Sequence, residues 1–395
     1  MRVSTLQIYQ QGVTAMQRQQ ASLQKTELQI ASGLRIMKPS DDPSSAVKVL
    51  DLNSNIDVVD QFSRNITVAE SSLAYEESVI ASVNTSLQRI RELTVQGNNS
   101  TNSAEAKESI AQEIYLRLDE LLSLANTRNA SGEYIFGGYK VDSPPFVDIA
   151  GTVSYQGDQG QRLVQIGEGS QVAIGDSGED VFQKIPSGDG NIQVKAANGN
   201  SGSGVVGSYG LVGSFVSDNY TVTFSGPANY SVRDSSNAVV ATGVYEEGAS
   251  ISFAGAQFLL NGVPASGDSF TLEPSRNMDL FATVKGIADA LSRPAPNLGE
   301  VARFHNDMGQ GLANLDQSLS SITGIRAGIG ARMNNIETID EINLDFKLQL
   351  QTVLSDTQDL DFAEAIARFN LQLTSLQAAQ QAFVKTSGLS LFQYI

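Results

Sequence analysis

Two narrow apolar stripes, one at each end of the chain, constrain the fold more than any other feature. Near the N-terminus Leu6, Tyr9, Val13, Met16, Leu23, Ile30 and Leu34 follow a 3,4 spacing, with Gln20 and Glu27 filling the two gaps. Near the C-terminus Phe362, Ile366, Phe369, Leu373, Leu376 and Phe383 do the same, with Gln380 as the polar member. An apolar residue every 3.5 positions is the seam of a coiled coil. At about 1.5 Å per residue, the N-terminal stripe predicts a rod of roughly 45 Å. Polar interruptions make each helix weak alone. Residues 1–40 hold five Lys/Arg and one Glu, whereas 355–395 hold four Asp/Glu and two Lys/Arg. Opposite signs favour pairing of the two ends, weakly in salt. Apolar residues outside that shared seam (Ile8, Leu28, Leu371 and the tip Leu389, Leu391, Phe392, Tyr394 and Ile395) are left for other copies of the chain to cover. Contacts that do not close on themselves give rings or helical filaments.

The glycines divide the chain. Of 35, 21 fall between residues 141 and 275. There the segment 219–226 alternates cleanly, and 230–233, 239–242, 251–253, 257–260 and 269–272 follow at short intervals, the cadence of an antiparallel sheet, sandwich or barrel. The flanks read as helices. Gly33 and Pro39 end the first, and Asp42 caps a second that opens on Pro43 and carries Leu52, Ile56, Val59, Ile66, Leu73, Ile80, Val83, Leu87 and Ile90 inward. A third lies near 104–127, followed by a strand and tight turn over 132–139. Beyond the insertion come a short helix over 279–291 and a long one from Leu298, weakened at Gly324, Gly328 and Gly330 by about 1 kcal/mol each. The expected fold is α + β and multidomain: long terminal helices forming a coiled coil and a helical bundle, with an inserted antiparallel β-rich domain. The boundaries predict a terminal coiled-coil assembly domain (1–40 and 355–395), a helical bundle with a short β-hairpin (41–140 and 276–354) and an outward-facing β domain (141–275).

Composition narrows the chemistry. The net charge is −17, from 26 Lys+Arg against 43 Asp+Glu, which argues against a nucleic-acid partner. With no Cys and one His, thiolate catalysis, disulfides and Cys- or two-His zinc sites are excluded, and no cofactor or metal is expected. No apolar run approaches the ~20 residues of a membrane span, and residues 1–20 lack a cleavable signal pattern. Gly202-Ser203-Gly204-Val205-Val206-Gly207 matches a dinucleotide fingerprint but lies in Gly/Ser/Asn-rich sequence with no helix after it, so it reads as a flexible loop. The 176–180 stretch reads as an acidic turn rather than a calcium loop. Glu76-Glu77 and Glu246-Glu247 read as solvated surface, since helical neighbours do not face each other. His305 reads as a seam-edge or surface residue. No catalytic constellation emerges, and the chain is read as no enzyme.

Both ends resemble the bacterial flagellin superfamily. Ile30-Ala31-Ser32-Gly33-Leu34-Arg35-Ile36 followed by Asp41-Asp42-Pro43-Ser44-Ser45-Ala46 is similar to that family's helix–turn–helix junction. Gln377-Ala378-Ala379-Gln380-Gln381-Ala382-Phe383 with Ser387-Gly388-Leu389-Ser390-Leu391-Phe392 is similar to its C-terminal helix. Residues 132–146, the Leu-Ser-Leu-Phe-Gln-Tyr-Ile close and 267–272 resemble the hook-associated branch at the hook–filament junction. The resemblance implies a structural subunit joining hook to filament, part of the extracellular flagellum. It implies terminal helices in the inner layer of a tube, export without a cleaved signal, and a chaperone on the C-terminal helix. The implied partners are copies of itself, a neighbouring hook-associated protein and flagellin, with no membrane insertion. The terminal helices are expected to order on docking. The expected assembly residues are Leu6, Val13, Met16, Leu23, Ile30, Leu34, Phe362, Ile366, Phe369, Leu373, Leu376, Phe383, Leu389, Leu391 and Phe392. The alternatives are filament flagellin itself, or a surface subunit whose β insertion, with Tyr220, Phe224, Tyr230 and Phe258, acts as an adhesin.

Overall fold

The computed structural model describes residues 5–388. The described chain divides into two compact units, residues 5–64 with 339–388, and residues 65–338. Among the described residues five of seven helices are long: α1 (Thr5–Ser32), α2 (Pro43–Gly97), α3 (Ala104–Ala125), α6 (Leu298–Gln358) and α7 (Phe362–Gly388); α4 (Gly178–Phe182) and α5 (Leu280–Ser292) are short.

In the terminal unit α1 and α7 lie antiparallel: Gly12 meets Phe383, and Gly33 meets Phe362. Gly33 closes α1 at φ +73°, the left-handed conformation that glycine adopts without a Cβ clash. The backbone then bridges to the α6–α7 turn, with Leu34 opposite Asp359. The Arg35 amide donates to the Gln358 carbonyl (2.8 Å) and the Leu360 amide to the Gly33 carbonyl (2.9 Å). Asp42 caps α2 by accepting from the Ser45 amide. The Ser45 contacts hold the Asp42 carboxyl down to about 2. The first turns of α2 pack on the end of α6 through Leu52, Val59 and Leu350, with Ile56, Val353 and Leu354 alongside.

In the larger unit the inward row of α2 is fully buried at Leu73, Ile80, Val83, Leu87 and Ile90. It shares the bundle interior with Ile114 and Leu121 of α3, Val284 and Ile287 of α5, and Met308, Leu315, Ile322 and Ile329 of α6. Helix α6 runs unbroken through Gly324, Gly328 and Gly330, around which a Cβ would meet open space. Burial of Ile322, Ile329 and Ile336 outweighs the low helix propensity of those glycines. The strand expected over 132–139 does not form. Only Arg128 and Tyr134 bridge, and Gly138 (φ +70°) turns the chain, so that Lys140 donates to the Gly137 carbonyl.

Two hairpins follow, β1 (Phe146–Ile149) with β2 (Thr152–Tyr155) and β3 (Leu163–Gly167) with β4 (Ser170–Ala173). Phe146 sits in a ring cluster with Tyr155, Phe182 and Phe281, centroids 5.1–5.3 Å away, and Phe136 joins it edge-on to Phe182 at 5.3 Å. This cluster fastens the hairpin segment onto α5. A two-stranded neck, β5 (Ile185–Pro186) against β14 (Asn277–Met278), leads to a sandwich. One sheet has the order β10-β9-β8-β13-β6, built from β6 (Ile192–Ala196), β8 (Tyr220–Phe224), β9 (Asn229–Arg233), β10 (Val239–Val244) and β13 (Ser269–Pro274). The other is β11-β12-β7, from β7 (Val205–Leu211), β11 (Ser250–Phe253) and β12 (Ala256–Asn261). Alternation along β8 and β12 buries Tyr220, Val222, Phe224, Phe258 and Leu260 in a shared core with Phe270 and Leu272. Three of the four aromatics offered as adhesin contacts are therefore core, and Tyr230 is half-buried against it.

The Gly202–Gly207 segment is not a free loop: β7 begins at Val205, and buried Asp268 accepts from the Ser201, Gly202 and Ala265 amides at 2.8, 3.1 and 2.8 Å. The 176–180 stretch opens α4, capped by Ser177.

Two stability outcomes follow. Gly33→Ala should destabilise the end of α1 by about 1–2 kcal/mol through the left-handed backbone it forces on a Cβ, read by helix-directed thermal melts. Phe281→Ala should cost about 3–5 kcal/mol in chemical denaturation of the larger unit, because it removes a fully buried ring that packs on both Phe146 and Phe182.

Candidate assembly interface

Helices α1 and α7 meet along a heptad row that keeps Met16, Leu23, Ile30, Phe369, Leu376 and Phe383 of the expected seam but exchanges the positions between them. On α1 the inward positions are Gly12, Met16, Gln19, Leu23, Thr26 and Ile30. The gap positions are thus filled by half-buried Gln19 and buried Thr26; Gln20 and Glu27, expected there, are exposed. Val13 and Leu34 are half-buried beside this row. On α7 the inward row is Ala365, Phe369, Gln372, Leu376, Ala379 and Phe383. Phe362, Ile366 and Leu373, expected in the same seam, remain 50 %, 48 % and 37 % exposed, and Gln380 is also exposed. The side chains of Leu6 and Ile8, and residues Leu389, Leu391, Phe392, Tyr394 and Ile395, lie outside the described residues.

Small residues account for this rotation. A Cβ on Gly12 would stand 3.0 Å from the Phe383 ring, which itself packs 5.0 Å from Tyr9. Ala365 is fully buried. Small side chains at the contact let the helices approach closely, which leaves Ile366 and Leu373 on the outer flank.

The contact is keyed by amides. Gln19 donates to the Gln372 backbone carbonyl (3.3 Å) and the Gln372 side chain donates to the Ser22 hydroxyl (2.9 Å). A polar layer in an apolar seam costs stability and fixes register. Charge does not bridge the pair: among the described residues no ion pair joins α1 to α7. Lys25 instead holds Asp41 at 2.8 Å and lowers its carboxyl, and Arg35 donates to the Thr357 carbonyl at 2.6 Å.

The outer surface of this unit stays apolar. Leu371 and Val384 on α7, Leu28 on α1, Val47 and Leu50 on α2, and Ile342, Phe346 and Leu348 on α6 are all exposed. Scattered exposed apolar side chains need no account, but a cluster of them makes this unit a candidate interaction surface. Among the described residues no three His/Cys/Asp/Glu side chains are placed to hold a metal ion. No described helix is long and apolar enough to cross a membrane. His305, half-buried, pairs through Nδ1 with the Asn98 side-chain oxygen at 2.8 Å, and its burial lowers its pKa.

Glu76 was the residue that sequence reasoning misplaced. It is 1 % exposed, and its Oε1 accepts from the Asp176 amide at 2.8 Å. Glu77 turns the other way and pairs with Arg326. The two do not face each other, as helical spacing requires, but their partners come from 100 and 249 residues away, beyond the reach of any local pattern.

Comparison with known proteins agrees with this architecture. Residues 3–141 match the bacterial flagellin N-terminal helical region and residues 312–395 its C-terminal helical region. Residues 194–274, the sandwich, match a flagellar hook-associated protein 1, D2-like domain. Flagellar hook-associated protein 3 of Escherichia coli K12 is 28 % identical over 400 residues, covering 100 % of this chain and 99 % of that protein. The flagellar junction protein FlgL of Legionella pneumophila is 31 % identical with a TM-score of 0.68, over 74 % of this chain and 99 % of that structure. Phase 1 flagellin of Salmonella naestved is 35 % identical over 117 residues only, 30 % of this chain and 23 % of the flagellin. The chain belongs to the flagellar hook-associated protein 3 (FlgL) family of the bacterial flagellin superfamily.

Proposed function

We propose that this protein is a non-enzymatic structural subunit of the bacterial flagellum that joins hook to filament, and that it acts by assembling with copies of itself and with its flagellar neighbours. The observation that carries this reading is that Ile366 and Leu373 are left exposed while Ala365, Phe369 and Leu376 of the same helix face α1. A helix that buries one row within its own chain and exposes the next is shaped for a second partner. The relatives carry the place: a hook-associated protein 3 matches from end to end, whereas the filament flagellin matches over less than a third of the chain. The same contrast disfavours the filament reading. The adhesin reading loses support because its aromatics line the sandwich core.

The mechanism is coupled ordering and docking. The inner seam offers only half-buried Met16, Leu23, Ile30, Phe369, Leu376 and Phe383 around a polar layer, so the pair alone is marginal in water. Burial against neighbouring copies offsets the ordering cost. Such a subunit needs no cofactor. Export without signal cleavage, and a chaperone that shields the C-terminal helix before export, suit an apolar surface that stays uncovered until assembly.

Purified subunit added to isolated hooks, followed by electron microscopy, tests the placement. Addition that stops after a short zone is expected; unlimited growth would make the chain a filament subunit. Leu373→Glu should abolish addition with a smaller loss of monomer helix content than a substitution in the inward row, because Leu373 is more exposed than the inward residues. Leu23→Glu should loosen the α1–α7 pair as well, seen as lower helicity. Normal addition by Leu373→Glu would remove the outer row from the interface.

A further inference from the structure

The bundle of the larger unit contains a carboxyl that its surroundings do not fully satisfy. Glu76 enters from α2 beneath the turn that links β4 to α4. Its Oε1 accepts from the Asp176 amide, while its Oε2 is buried without a hydrogen-bond partner. Charged groups face it from several elements. Asp176 stands in the turn above and is itself held by Arg332 of α6 at 2.5 Å and by the Gln161 amide at 3.0 Å. Glu77 lies beside it on α2, paired with Arg326 of α6. Arg128 and Arg162 line the same groove of about 680 Å³, with Tyr75, Ile135 and Ile174. Both arginines are otherwise engaged, Arg162 with Glu133 and Arg128 with the Tyr134 hydroxyl and ring. Among the described residues no salt bridge joins a cation to Glu76, and the pull of Arg332 on its charge is weaker than the push of Asp176.

We propose that Glu76 is a proton-operated latch that fastens the β3–β4 hairpin and the start of α4 to the helical bundle, closed when the carboxyl is neutral and loosened when it ionises. A neutral carboxyl keeps one oxygen as acceptor for the Asp176 amide and removes the buried charge opposite Asp176. An ionised one leaves a desolvated oxygen unpaired beside a second carboxylate, and the cheapest relief is for the turn to lift and admit water. Burial, reinforced by Asp176, pushes the Glu76 carboxyl up to about 7, so the switch lies near neutrality. The sign follows from linkage. The folded pKa is raised above the unfolded one, so the folded form holds a proton that the open form releases, and the latch weakens as pH rises from about 4.5 through 7. The full shift corresponds to a change in the opening equilibrium on the order of a hundred-fold.

Hydrogen exchange on the full-length monomer, corrected for the intrinsic pH dependence of exchange, reads the latch. The protection of the Ile174 and Asp176 amides in the wild type is expected to fall at least ten-fold between pH 5.5 and 8.5. Glu76→Gln keeps the acceptor without the charge and should hold protection flat across that range. A flat wild-type profile, or an equal fall in Glu76→Gln, overturns the proposal. If the variant does not fold, the assigned carboxyl carbon resonance of Glu76 in the wild type decides: a midpoint near 7 upholds the latch, and one in the ordinary carboxylate range removes it.

Discussion

The two ends of this chain share one seam, and the rest of the molecule is an excursion that leaves it and comes back. Because α1 and α7 run antiparallel, the chain must depart at Gly33 and return at Leu360, and the two departures are stitched together by the Leu34–Asp359 bridge. A seam this polar cannot close a loop of more than three hundred residues unaided. Loop-closure cost grows only slowly, by about 0.6 kcal/mol per doubling, but it begins from a sizeable constant. The apolar contact of Leu52, Val59 and Leu350 brings α2 and α6 together just beyond the bridge and so shortens the loop that the seam has to close.

Much of this architecture was legible in the sequence because each level repeats the same message. Helical periods, the Asp42–Pro43 restart, the glycine-rich middle and the alternation along 219–226 all correspond to elements of the structure. Within the terminal seams Met16, Leu23, Ile30, Phe369, Leu376 and Phe383 were legible, but the positions between them were not. A 3,4 pattern selects the large apolar residues, whereas the helices meet where Gly12, Ala365 and Ala379 permit close approach, and they accept Gln19 and Gln372 there. Sequence periodicity reports how apolar a stripe is; it does not say which of two adjacent stripes meets a neighbour in the same chain and which meets one outside it. The 132–139 segment misled for a related reason: Tyr134, Ile135 and Phe136 favour a strand, but Gly137 and Gly138 turn the chain before one can pair.

Long-range polar contacts mark the other limit. Glu76 and Glu77 looked alike because nothing within ten residues distinguishes them. One is buried under Asp176 and the other is paired with Arg326, a difference created by chain segments far away in sequence. The single His and the dinucleotide-like glycines went the same way, toward ordinary structural roles: His305 bonds Asn98, and Gly202 supplies an amide to Asp268.

The sandwich is entered through β5 and β6 and left through β13 and β14, and these are hydrogen-bonded neighbours, Pro186 opposite Asn277 and Ile192 opposite Pro274. Entry and exit therefore form one zipped stalk, and whatever lies beyond it is presented to the helices as a single closed attachment point. A module joined in this way can be lengthened, shortened or exchanged over evolutionary time without changing the helical register below it. The helices can keep their packing while the sandwich drifts in size and surface.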